Sequence, residues 1–136
     1  MKRPLLLAYQ LLIGLSDTFT GALLIVAPEL TLRLMRLHAP AVALPYLSFI
    51  GAFVLSVGLA CLYGAALMVR RSRVCQLETV WLLTAISRGS VAVFVVSQLV
   101  SGSLETGWLT VALMDGACVL IQAIGLRKGW LCHAIH

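Results

Sequence analysis

The sequence predicts an all-α integral membrane protein: a four-helix bundle running up-down-up-down, with a short amphipathic helix in the interface after the first span. Three observations predict it. The 136 residues are 61% hydrophobic and 11% charged, with a mean hydropathy of +1.03, whereas soluble domains carry about 25% charged residues. The apolar residues gather into four runs, 5–27, 44–69, 79–100 and 108–126, each near the length of about 20 residues that crosses the hydrocarbon core. The connections between the runs are short, which makes consecutive spans antiparallel neighbours within a single domain over 1–136.

The first run follows Lys2 and Arg3, as the core of a secretory leader would. It is too long for a leader, contains Asp17 and lacks a nearby small-residue cleavage site, so it reads as a retained helix. After it, Glu29, Arg33 and Arg36 recur at i, i+4 and i+7 while Leu30, Leu34 and Leu37 take another face. That pattern predicts an interfacial helix over 28–38, admitted by Pro28 and stopped by Pro40. It reads as a connector tethering the hairpin to the bilayer, with a lid or a partner-docking surface as the alternative; Glu29, Arg33 and Arg36 are its interfacial candidates. The second run carries Gly51, Ser56, Gly58 and Gly64, small residues that let helices approach closely. The third ends in a tight turn marked by Gly102 and Gly107. The fourth is bracketed by Trp108 and Trp130, aromatic anchors for the two interfaces.

Four spans put both ends of the chain on one side. Lys2, Arg3, Arg70, Arg71, Arg73, Arg127 and Lys128 fall on that side, against Arg33 and Arg36 opposite. By the positive-inside rule the termini are expected in the cytoplasm, and in a bacterium the membrane is the inner one. The formal net charge of +5 is thus accounted for by topology, and no nucleic-acid partner is called for. Cys61, Cys75, Cys118 and Cys132 show no paired spacing and predict no disulfide framework.

Within the spans stand three ionisable residues, Asp17, Arg88 and Asp115, one each in the first, third and fourth. At a rise of ~1.5 Å per residue, they lie about 18, 14 and 17 Å from the side of the termini, in one layer within reach of a long arginine. Gly14, Ser16, Thr18, Thr20 and Gly21 surround Asp17; Thr84 and Ala92 flank Arg88; Ala112, Cys118 and Gln122 share the face of Asp115. Charges at such depth face a protein interior and pair with one another. One arginine against two carboxylates leaves excess negative charge, which a proton, a cation or a hydrogen-bond-donating ligand would neutralise. Three readings follow: a clamp that fixes helix register, a ligand or quinone head-group site, and a proton or ion path. Tyr9, Gln10, Thr20, Tyr63, Thr84, Cys118 and Gln122 are candidates to line an accompanying cavity.

Other chemistry is missing. His38, His133 and His136 all lie outside the spans, which disfavours histidine-ligated haem or chlorophyll within the bundle. The tail Cys132-His133-Ala134-Ile135-His136 offers fewer than four metal ligands and reads as an interfacial segment, so no metal site is assigned. No phosphate loop, zinc-binding histidine pair or nucleophile elbow occurs. No catalytic residue is assigned, and an enzyme acting alone is not expected.

The glycine-bearing first hairpin from Gly14 to Pro28, the second span from Gly51 to Gly64, Arg88 in the third span and Asp115-Gly116 in the fourth together resemble the DoxX-like group of small four-helix membrane proteins, in a functionally unassigned branch. The resemblance covers most of the chain. It implies a bacterial inner-membrane protein, and some relatives of that group are membrane subunits of quinone-linked oxidoreductases. Small multidrug-resistance transporters also place an acidic residue in the first of four helices, as Asp17 stands here, but the residues around that carboxylate do not match and those proteins supply no third-helix arginine. The expected function is therefore an accessory subunit or a quinone- or lipid-binding module of a larger membrane complex, such as an electron-transfer or photosynthetic one, possessing no cofactor beyond a bound quinone or lipid and partnered by the bilayer, by other membrane subunits or by itself. A small proton-coupled transporter using Asp17 and Asp115 with Arg88 is the alternative.

Overall fold

The computed structural model describes residues 3–70 and 74–131 of the chain. Lys2, Arg71 and Arg73 of the charge count, and the Cys132, His133 and His136 tail, lie outside the described residues. Among the described residues five helices follow in order: α1 (Arg3–Val26), α2 (Pro28–Leu34), α3 (Leu44–Val69), α4 (Val74–Val100) and α5 (Leu109–Arg127). Single 3-10 turns, Ala41–Ala43 and Thr106–Trp108, lead into α3 and α5. There is no strand among the described residues. Helical stretches Arg3–Val26, Ala41–Val69, Cys75–Val100 and Thr106–Arg127 are long and apolar enough to cross a membrane. The chain is an all-α, multi-pass membrane bundle.

Two boundaries differ from the sequence reading, each for a physical reason. The apolar run that predicts the third span begins at residue 79, where uninterrupted hydropathy starts. α4 in fact starts at Val74 and carries Gln76 and Glu78 in its first turns, since a helix can project beyond the hydrocarbon while an apolar run cannot report it. The interfacial helix, expected over 28–38, stops at Leu34. Arg36 takes φ +56°, its N–H donates to the Arg33 carbonyl at 3.0 Å, and the Leu37 N–H reaches back to the Leu32 carbonyl at 2.9 Å. This is a Schellman ending, with arginine at the left-handed position where glycine is usual. It turns Leu37 inward, where it is 3% exposed and packs with Leu32 and Leu47.

The inner face of every span repeats at heptad spacing, the signature of left-handed bundle packing. Leu6, Gln10, Ile13, Gly21 and Leu24 are buried on α1, and Leu47, Gly51, Gly58, Cys61, Ala65 and Met68 on α3. The other faces are apolar and bare: Phe19 is 70% exposed, Val93 72% and Leu120 64%. In water that surface would drive aggregation; in hydrocarbon it needs no partner.

The helices associate as two tight pairs, α1 with α3 and α4 with α5, with a lighter α3–α4 contact between them. The first pair closes on glycine. A Cβ added at Gly21 would stand 2.4 Å from the Leu55 backbone nitrogen, and one at Gly58 2.5 Å from that of Thr18. Both ends of the bundle are sealed by apolar groups. On the side of the termini, Leu6, Leu67, Met68, Leu77, Trp81 and Leu131 form one cluster, and the Arg3 guanidinium caps α3 through the Met68 carbonyl at 2.9 Å. On the α2 side, Leu32, Leu37 and Leu47 pack with Trp108, and Leu37 fills the space a side chain at Gly107 would need.

Candidate functional site

Asp17, Arg88 and Asp115 meet. Arg88 Nη1 donates to Asp115 Oδ1 at 2.6 Å and Nη2 donates to Asp17 Oδ2. One guanidinium on α4 thus joins α1 to α5, the fork geometry for which arginine is suited and lysine is not. Cys61 of α3 lies beside the same guanidinium, so all four spans contribute to the layer. The Arg88 side chain is 7% exposed, while those of Asp17 and Asp115 retain 20% and 14%. Among the described residues, α1 and α5 lack the extensive backbone approach that joins the tight pairs. The carboxylates that keep some exposure therefore stand on two helices that do not form a tight pair with each other.

One heptad nearer the termini, about 10 Å along the axis, is a second polar layer. Stepping by seven residues carries Asp17 to Gln10, Arg88 to Trp81 and Asp115 to Gln122. Gln10 is 0% exposed, Trp81 0% and Gln122 1%. Their bulk is accommodated by glycines on facing helices: the Gln10 amide occupies the notch at Gly64, and the Trp81 ring the notch at Gly125. Tyr9 meets Trp81 edge to face, ring centroids 5.9 Å apart, and packs against Cys61 and Cys118. Thr84 links the layers. Its hydroxyl donates to the Val80 carbonyl at 2.8 Å and accepts from Gln122 Nε2 at 2.9 Å.

This inner layer is polar without being satisfied. Gln10 Oε1 and Nε2, Trp81 Nε1, Tyr9 Oη and Gln122 Oε1, together with Arg88 Nε in the charged layer, are buried with no hydrogen-bond partner. Buried polar atoms are almost always paired, because leaving one unpaired costs about 1–3 kcal/mol. Toward the α2 side of Asp17, by contrast, the buried residues of the spans are apolar or glycine: Gly21, Leu24, Leu47, Gly51, Val95 and Ala112.

The remaining candidates divide. Gln10, Tyr9, Thr84, Cys118 and Gln122 do line this interior, and Thr20 is half-buried near Asp17. Tyr63 does not: it is 52% exposed, and its hydroxyl donates to Gln76 at 3.5 Å on the outside of the bundle. A helical residue one step from Gly64 points about 100° away from it, and it is Gly64 that faces Gln10. Glu29 and Arg33 form an exposed pair at 3.4 Å on α2 and, with Leu32, Leu37, His38 and Leu44, line a recess of about 360 Å³ far along the chain from the charged layer. Arg36 is exposed beside them. Trp108 and Trp130 mark the two ends of α5, each half-buried against the apolar seal there. Trp81 and Cys61 were not singled out from sequence; the heptad step from Arg88 would have found Trp81.

Comparison with protein-family models, with curated proteins and with solved structures yields no match to this chain.

Proposed function

We propose that the chain is a non-enzymatic membrane module that holds the polar head of a lipid-soluble molecule, of the quinone or lipid class, at the charged layer and the inner polar layer beside it. The supporting observation is the cluster of buried, unpartnered polar atoms on Tyr9, Gln10, Trp81 and Gln122, sealed toward both ends of the bundle by apolar side chains. A polar interior so covered is approached from the lipid side rather than from water. Asp17 and Asp115 keep part of their side-chain surface, at a depth where the surroundings are hydrocarbon, so the ligand arrives through the bilayer beside these carboxylates, between α1 and α5. Arg88 holds the two helices at that mouth and offers its free Nε–H. In the cell the module sits in a bacterial inner membrane with its termini in the cytoplasm, as a subunit whose bare apolar flanks pack on larger membrane partners.

The test is extraction and mass spectrometry of the lipids and quinones that stay with the protein after purification in mild detergent. The wild type is compared with the charge-free variant Arg88→Leu/Asp17→Asn/Asp115→Asn. A polar-headed species retained stoichiometrically by the first and lost by the second is the expected result. Identical extracts from the two would sink the reading. A second reading, a proton-coupled carrier, is favoured by the surplus carboxylate of the layer. It requires Asp17→Asn to abolish proton-driven uptake in vesicles, and uptake unaffected by that change excludes it.

A further inference from the structure

The proposed site takes a head group of unstated chemistry; the donors and acceptors of the inner layer specify it. Gln122 takes its orientation from Thr84. With the Thr84 hydroxyl hydrogen directed at the backbone carbonyls of Val80, 2.8 Å away, and Trp81, 3.2 Å away, Thr84 Oγ1 accepts from the Gln122 NH₂ at 2.9 Å. Gln122 Oε1 is thereby left as a buried, free acceptor. Gln10 presents both ends of its amide unpartnered, so it offers one further acceptor and a donor whichever way it is turned. Trp81 Nε1 can only donate, and the Tyr9 hydroxyl does either.

The inner layer therefore lacks donors and acceptors at once. A head carrying only carbonyl or ether oxygens would satisfy Trp81 and the Gln10 NH₂ but donate to neither amide oxygen, Gln122 Oε1 or Gln10 Oε1. A carboxylate would do the same and add charge to a layer that already stands beside two aspartates. A cationic head would be drawn to Asp17 and Asp115, one heptad away, and would leave Trp81 without an acceptor. A neutral hydroxyl carries one donor and two lone pairs on a single atom. It can give its hydrogen to one of the two amide oxygens, where a carbonyl or ether gives none, and still offer lone pairs to the Trp81 and Gln10 donors; Tyr9 and Trp81 supply the aromatic edges that suit a ring behind it.

We infer that the ligand is a neutral amphiphile whose head bears a hydroxyl, of the phenol or ring-alcohol class, and that Gln122, Gln10 and Trp81 select it over the corresponding ether or carbonyl compound. This rests on the binding reading above and narrows it. Para-hexylphenol and its methyl ether are matched probes: they share ring and tail, and only the first can donate.

The experiment follows the indole ¹⁵N–¹H resonances of the full chain in micelles during titration with each probe, the Trp81 signal being assigned by its loss in Trp81→Phe. The phenol should shift that signal saturably, with affinity at least about tenfold above the ether, and Gln122→Leu should bring the phenol down to the level of the ether. Gln10→Leu should do so independently, which guards against a variant that merely fails to fold. Equal affinity for the two probes overturns the selection while leaving the binding site standing. A Trp81 signal indifferent to both overturns the inference. If in addition no polar-headed species co-purifies with the protein, the binding reading falls with it.

Discussion

The two tight helix pairs are held by different means. Between α1 and α3 the contact is backbone to backbone: Gly21, Gly51 and Gly58 stand where a methyl group would come within 3 Å of the facing chain. Little can shift there without parting the helices. Between α4 and α5 the work is done by long side chains, Arg88 reaching Asp115 and Trp81 filling the space at Gly125, and the same Arg88 reaches across to Asp17 of α1. On α4 and α5 themselves, Gly89 and Gly116 meet nothing closer than 3.8 Å and nothing within 4 Å respectively. A seam of side chains can open by rotamer changes, whereas a seam of glycines opens only by moving a helix. The polar interior lies along the adjustable seam, which is where a ligand can be admitted without unfolding the bundle.

That contrast can be broken from either side. The largest effect is expected at Arg88. Arg88→Leu leaves two carboxylates facing a dry interior and should destabilise the bundle by about 3–5 kcal/mol, measured as a drop in the unfolding midpoint in mixed micelles. Gly21→Ala attacks the rigid seam and should lower stability by about 1–3 kcal/mol while sparing the α4–α5 pair, which an interhelical distance measurement between spin labels would check. Gly116→Ala, the matching change on the looser pair, meets open space and replaces a poor helix former. It should be neutral or stabilising by up to about 1 kcal/mol; a loss as large as that at Gly21 would abolish the distinction between the seams. The smallest effect belongs to the α2 side, where Arg36→Gly relieves a left-handed arginine and should raise stability by a few tenths, under about 1 kcal/mol. Unchanged or lower thermal stability would count against the Schellman ending.

How far the sequence carried can be judged residue by residue. Hydropathy located the spans because crossing hydrocarbon imposes a length, and rise per residue put Asp17, Arg88 and Asp115 at one depth because their partners must be within reach of a side chain. Arg36 escaped because a charged residue at positive φ carries no local signal; the helix ends there through the inward pull of Leu37, a tertiary cause. The start of α4 escaped because polar turns outside the membrane are invisible to an apolar count. Tyr63 was misassigned since a residue type says nothing of azimuth, and one residue of helix rotates a side chain off the interior. Trp81 carries no signal of its own within an apolar run, yet its seven-residue offset from Arg88, matched by Gln10 and Gln122 on their own helices, is present in the numbering. The tyrosine that mattered was Tyr9, placed by its neighbour Gln10.

The central claim is that Arg88, Asp17 and Asp115 act as one coupled unit across three helices, and a thermodynamic cycle tests it most directly. The unfolding free energy is measured in mixed micelles for Arg88→Leu, for Asp17→Asn/Asp115→Asn, and for the three changes combined. If the unit is coupled, the combined variant recovers stability relative to Arg88→Leu alone, because no unpaired carboxylate remains, with a coupling energy within about 0.5–3 kcal/mol. Effects that simply add would contradict the account and return the three residues to independent positions in the bundle.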